Sequence, residues 1–334
     1  MANKEHDYRI DWMRSLSILL VVLGHSIIIY SRSWNLFSSQ NSVPFFDALK
    51  TCIYLVHMPM FSFISGCLFL HKLEKLSFAE LLKDKMKRVL IPYIVFSLCW
   101  MIPIRLLINF SQYQGEDFLT IVGKGIFLGE NNGHLWYLVF IFMAFVITYL
   151  LYRLLGKTGL DAKWIVLILF MISFTCYALQ HKSFFLFKPR VMEKFNANYV
   201  WFCFGLFYRV WIKPLDEGRK LIRYGRWLAL AASVGLFVLY ITGKFTNAFP
   251  VGLVSIVAVY LFMPNRQMKA VSILSRDSFG IYLFHSPFVY ITFTYWPDIS
   301  PLLVLLINFV GFGAVAWLLT NLTRKIGLKS VIGE

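Results

Sequence analysis

Long stretches without charge alternate with short charged segments along the chain. The apolar blocks run for about 16 to 25 residues, enough to cross roughly 30 Å of hydrocarbon as helices. They predict ten spans, at 10–31, 51–70, 88–110, 134–152, 163–180, 197–213, 224–243, 247–263, 270–292 and 299–322. Within 88–110 lie Pro92, Pro103 and Arg105; prolines are tolerated in a span where neighbouring helices satisfy the freed backbone groups. The segment Phe118 to Gly129, with Lys124 and three glycines, is too short to cross and reads as a surface or re-entrant piece. The pattern therefore predicts an all-α polytopic membrane bundle, a single integral domain over 1–334. Residues 1–9 and 323–334 are its expected cytoplasmic tails, and 10–322 the bundle. Neither an internal repeat nor a low-complexity linker is visible, which argues against the two-halved plan of many transporters.

Composition narrows the class. Of 334 residues 58% are hydrophobic and only 15% charged, against about 25% in soluble chains, so a water-soluble enzyme or soluble binding module is excluded. The formal net charge of +16 is accounted for by loop placement without nucleic acid. With the amino terminus inside, 22 Lys and Arg fall on the inner side, eight on the outer and three, Arg14, Arg105 and Arg276, within spans, as the positive-inside rule requires for two cytoplasmic termini. Cys52, Cys67, Cys99, Cys176 and Cys203 all lie in apolar blocks without CxxC or zinc spacing, so neither a disulfide nor a metal framework is expected. Met1 to Asp11 are followed by an apolar run with no small-residue cleavage site, which is expected to stay as the first span.

Candidate chemistry lies in the polar groups inside spans. Arg14 and His25 are eleven residues apart, which on a helix leaves them about 20° apart on one face and about 16 Å apart along the axis. Asp11, one turn before Arg14, is placed to orient or neutralise it. Ionisable groups are costly in lipid and face the bundle interior. Arg14 reads either as an interfacial anchor or as a grip for phosphate or carboxylate, and His25 either as a packing donor or as a base for a hydroxyl proton. Three more histidines fall at span positions: His57 in the run His57 to Gly66, His134 beside Trp136 and Tyr137, and His285 at the end of Ser278 to His285, which includes Tyr282. Each also has a plain packing or interface reading, and Ser65-Gly66 alone is a helix-packing signal. The loop 73–88 carries Lys83, Lys85, Lys87 and Arg88. It serves either orientation and lipid binding or a cationic entrance for a phosphate-bearing donor. Trp34, Trp136, Tyr137, Trp201 and Trp296 read as an aromatic belt, and aromatic faces also suit sugar rings.

In this order and spacing the motifs resemble the acyltransferase-3 family of integral membrane O-acyltransferases, over essentially the whole chain. The Arg-x10-His pattern is met by Arg14 and His25, Phe-x3-Ser-Gly by Phe61, Ser65 and Gly66, the Leu-Trp-Phe-Leu-like stretch by Leu135 to Leu138, and the late Ser-x-Gly-Ile-Tyr-Leu-Phe-His stretch by Ser278 to His285. The chain departs from the family in carrying Ser15 where Gly commonly follows the motif arginine. It is also expected to lack the esterase-like domain that some members append. The resemblance implies transfer of an acyl group, most often acetyl from cytoplasmic acetyl-CoA, to a hydroxyl of a cell-surface or lipid-linked glycan in the cytoplasmic membrane. Under that reading His25 is base or transient acyl acceptor, with Arg14 and Asp11 in the catalytic set. Arg14, Lys87 and Arg88 meet the donor, and Ser65, His57, His134, Trp136, Tyr282 and His285 shape the acceptor site or passage. An exporter of a surface-polysaccharide unit is the competing class, because intramembrane Arg and His also serve transport paths.

Overall fold

The computed structural model describes residues 6–180, 190–216 and 220–334, without the side chains of 215–224. Lys4, Lys182, Lys188 and Arg219 of the charge count lie outside the described residues. Among the described residues every regular element is helical. In chain order the bundle is built from α1 (Tyr8–Ser26), α2 (Pro44–Leu73), α3 (Phe78–Leu107), the short α4 (Phe118–Phe127), α5 (Gly133–Gly156), α6 (Ala162–Leu179), α7 (Arg190–Phe207), α8 (Lys220–Ile241), α9 (Ala248–Phe262), α10 (Lys269–Tyr295) and α11 (Pro301–Lys325). Among the described residues, α2, α3, α5, α6 and α11 are long and apolar enough to cross a membrane. The protein is a membrane protein of helical construction.

Local chemistry explains where these helices start and bend. Pro44 opens α2 at its first turn, where a missing N–H costs nothing. A reciprocal Ser77–Glu80 capping box starts α3, and Asn247 caps α9 through the Phe249 amide. Inside α3, Pro92 and Pro103 each follow a wide π turn, at Met86–Leu90 and Ser97–Met101. Each turn contains the residue four before the proline, whose carbonyl the ring would otherwise strike.

Helix α1 runs between α2 and α10, and α2 lies along α7. That second contact depends on two glycines. A Cβ on Gly66 would sit 2.0 Å from the Phe202 carbonyl oxygen, and one on Gly205 2.1 Å from that of Phe63. Only hydrogen at both positions lets the backbones meet. The α1–α10 contact accommodates Ser15, whose hydroxyl donates to the Val271 carbonyl at 2.9 Å, so the departure from the family glycine becomes an interhelical hydrogen bond.

Some expectations are altered. Tyr137 and Trp201 are packed in the core rather than in an interfacial belt, whereas Trp296 is exposed. The stretch 323–334 folds back on the bundle: Ile332 is buried in the core, and Glu334 pairs with Arg324. Helix α4 is a short surface element with Leu119 and Phe127 exposed, tied down by Tyr93, which donates to the carbonyls of Gly125 and Ile126.

Candidate functional site

Two cavities lie along α1, one at each end of its polar face. The arginine cavity, about 560 Å3, is lined by Arg14 and Ser65 together with Lys72, Lys85, Arg88 and Arg276. Its charge balance is positive. Lys72, Lys85 and Arg88 share the single carboxylate of Asp84, at 3.1, 3.3 and 2.9 Å, and Arg276 pairs with Asp277 at 2.7 Å. Arg14 closes no ion pair within 4 Å among the described residues, although it lies in a half-buried setting. Asp11 makes its hydrogen bonds to other residues, meeting His6 at 2.7 Å and Ser275 at 3.1 Å. Lys87 is exposed and not among the residues lining the cavity; Lys85, buried and 3.8 Å over the Phe145 ring, and Lys72 line it instead.

The histidine cavity, about 500 Å3, contains His25, His134, Trp136, Tyr54 and Arg105. A smaller neighbouring cavity of about 390 Å3 also reaches His25, beside His57 and Pro59. Tyr282 lines both this smaller cavity and the arginine cavity, and its hydroxyl donates to the backbone carbonyl of His134. It therefore stands between Arg14 and Ser65 on one side and the histidines on the other.

The histidines form an ordered chain rather than a loose group. His285, fully buried, directs Nδ1 at the carbonyl oxygens of Ile281 and Tyr282, at 3.1 and 2.9 Å. Carbonyls only accept, so Nδ1 carries the proton, and in the neutral ring Nε2 is left as an acceptor. The partner of that Nε2 is His25 Nδ1, 2.8 Å away. His25 Nδ1 is then the donor, and His25 Nε2 holds the free lone pair beside the cavity. The proton positions follow from the hydrogen-bond network. The logic is that of a base whose tautomer is fixed by a third group.

Helix α10 provides a second fixed point. Pro287 has no N–H to offer the carbonyl of Leu283 four residues earlier, and His134 Nε2 meets that carbonyl at 3.3 Å. His134 lies with its ring 5.2 Å from that of His285 and 6.4 Å from that of His25. His57 Nδ1 bonds the Ile53 carbonyl at 2.7 Å, and its ring packs 4.8 Å from Tyr54. Among the described residues no three His, Cys, Asp or Glu side chains are grouped as metal ligands.

Sequence reasoning passed over Arg105, which it counted among span residues and gave no role. It is 1% exposed, bonds the Asn131 carbonyl and the hydroxyls of Tyr113 and Tyr290, and lines the histidine cavity. A charge inside an apolar block was the available signal. Lys194 was also missed; it lies 5.1 Å over the Trp136 ring at the same cavity.

Comparison with known proteins identifies relatives of the chain. Residues 7–321 match the acyltransferase-3 family, described as an acyltransferase domain. The nodulation protein NolL of Sinorhizobium fredii (strain NBRC 101917 / NGR234) is 30% identical over 201 residues, covering 57% of this chain and 51% of that protein. The chain thus spans about half the length of the curated relative it matches. No solved structure matches it significantly. With the family match running from the start of α1 almost to the end of α11, across both cavities and the histidine chain between them, the protein belongs to the acyltransferase-3 family.

Proposed function

We propose that the protein is a membrane-bound O-acyltransferase that moves an acyl group, acetyl in the simplest case, from acyl-CoA to a hydroxyl of a cell-surface or lipid-linked glycan. It does so as a single integral domain with ten crossings and both termini in the cytoplasm of a cell whose cytoplasmic membrane holds it. The charge asymmetry of the loops supports that orientation, which puts the arginine cavity inward and the histidine cavity outward. The observation that carries the chemistry is the His285–His25 hydrogen bond, which leaves His25 Nε2 unprotonated beside a cavity.

In this reading the donor's phosphates rest among Arg14, Lys72, Lys85 and Arg88, where three cations share one carboxylate. The pantetheine arm passes Tyr282 and brings the thioester to His25, covering the roughly 16 Å that eleven helical residues rise. The acceptor hydroxyl gives its proton to His25 Nε2 while its oxygen attacks the thioester carbon. The C–S bond then breaks, and the departing thiolate takes the proton back. His285 Nε2 accepts from the imidazolium throughout and spreads its charge. A base so held commonly contributes about 10²–10⁴-fold.

The test uses pure protein in detergent, labelled acetyl-CoA and isolated surface glycan, with the product read by mass spectrometry. New O-acetyl ester on the glycan is the expected result. Glycan movement across vesicles without any new ester would assign the protein to export instead.

A further inference from the structure

The histidine cavity is built for more than a neutral sugar. Arg105, Arg190 and Lys194 all line it, and among the described residues no Asp or Glu does. The stretch 181–189 immediately before α7 contains neither residue in sequence. Arg105 is the strongest sign. Its guanidinium, 1% exposed, is held by two tyrosine hydroxyls and one backbone carbonyl, without a carboxylate, and its Nε has no partner among the described residues. A buried cation without a counter-charge is expensive. Asn132, 4% exposed, adds a buried side-chain amide to the same lining. The cavity therefore offers positive charge and, at Arg105 Nε, a donor without a partner among the described residues. Trp34 and Trp136 in the same wall provide apolar ring faces.

We propose that the acceptor is anionic, and that its carboxylate or phosphate oxygens are held by Arg105 and Asn132 with Lys194 and Arg190 at the mouth, while a sugar ring lies on Trp136 beside His25. The proposal rests on the acyl-transfer reading in calling the ligand an acceptor, but the binding it asserts needs no acyl donor. An acidic sugar and a phosphate-linked lipid carrier both present this chemistry.

The experiment measures binding of three probes to the full chain in nanodiscs without acyl-CoA: methyl glucoside, methyl glucuronide and glucose 1-phosphate. At least one anionic probe is expected to bind about tenfold more tightly than the glucoside, the size of one added hydrogen bond to a charged group, and its advantage should shrink with added salt. The R190Q/K194Q variant should lose much of that advantage, and R88Q, altered in the arginine cavity, should keep it. Preference for the glucuronide assigns an acidic sugar, and preference for the phosphate a lipid-linked phosphate. Equal binding of all three probes overturns the proposal. So does an anionic preference that R190Q/K194Q leaves undiminished or that disappears in R88Q. Because no ester is formed in this assay, its failure leaves the acyl-transfer reading standing, and failure of transfer leaves the binding result intact.

Discussion

In the proposed reaction His285 acts on the acceptor only through His25: it reaches that ring at 2.8 Å and its own other nitrogen is occupied by two backbone carbonyls. It is a positioning residue. His285→Leu should therefore lower kcat by about 10²-fold or more while the KM for the glycan changes little, because the base loses its fixed tautomer and the partner for its charge. His285→Gln, whose side-chain oxygen accepts a hydrogen bond, should recover part of the loss. A variant that instead raises KM with kcat unchanged would show His285 to be an acceptor contact. The residues of this site were unevenly legible in the sequence. Arg14, His25 and His285 stood out because each is an ionisable or polar group in an apolar block. The polarity of the relay was not visible, since it depends on which nitrogen of His285 meets the α10 carbonyls. Arg105 was visible as a charge, yet its partners come from residues as far along the chain as Tyr290, which no local pattern joins to it.

Among the elements, the polar helices bear most of the candidate residues. Among the described residues, α1, α7 and α10 each have 18 or more residues but fall short of the apolarity of a plain crossing helix; they bear Arg14, His25, Lys194, Tyr282 and His285. The Ser65-Gly66 motif divides between packing and site, since Gly66 brings α2 onto α7 while Ser65 faces the arginine cavity. That division was not legible, because Gly205, its counterpart, lies far along the chain. The start of α1 is fixed electrostatically. Asp7 accepts from Lys213, from the Tyr260 hydroxyl at 2.9 Å and from Arg209 at 3.5 Å. Burial alone would raise its pKa, but the Lys213 hydrogen bond and charge, with help from Tyr260 and Arg209, hold it below the usual carboxylate value. A carboxylate with a lowered folded-state pKa stabilises the fold above its unfolded value, about pH 4, and the stabilisation is lost as pH falls through the folded value. Asp7→Asn should cost about 2 kcal/mol at neutral pH, and the gap to wild type should close in acid. Thermal unfolding in detergent across that range checks this; equal melting at pH 7 would contradict it.

At the scale of the whole molecule, the proposed reaction assigns the donor to one cavity and the acceptor to the other. The cationic surplus is legible in the sequence as a basic loop, although the lysines that line the cavity are Lys72 and Lys85 rather than Lys87. The division itself was only half legible: helical geometry gave the separation of Arg14 and His25, whereas Tyr282, standing between the cavities, is held by its hydroxyl's hydrogen bond to the distant His134 carbonyl. If acyl transfer runs along α1 through His25, donor and acceptor enter from opposite faces. The most direct measurement seals labelled acetyl-CoA inside proteoliposomes, adds glycan outside, and selects the vesicles in which the Arg14 face is inward. Wild-type protein should place label on the external glycan, and His25→Ala, folded to the same melting point, should reduce the rate by at least about 10²-fold. Equal rates for the two proteins, or transfer only when donor and glycan share one side, would contradict the account.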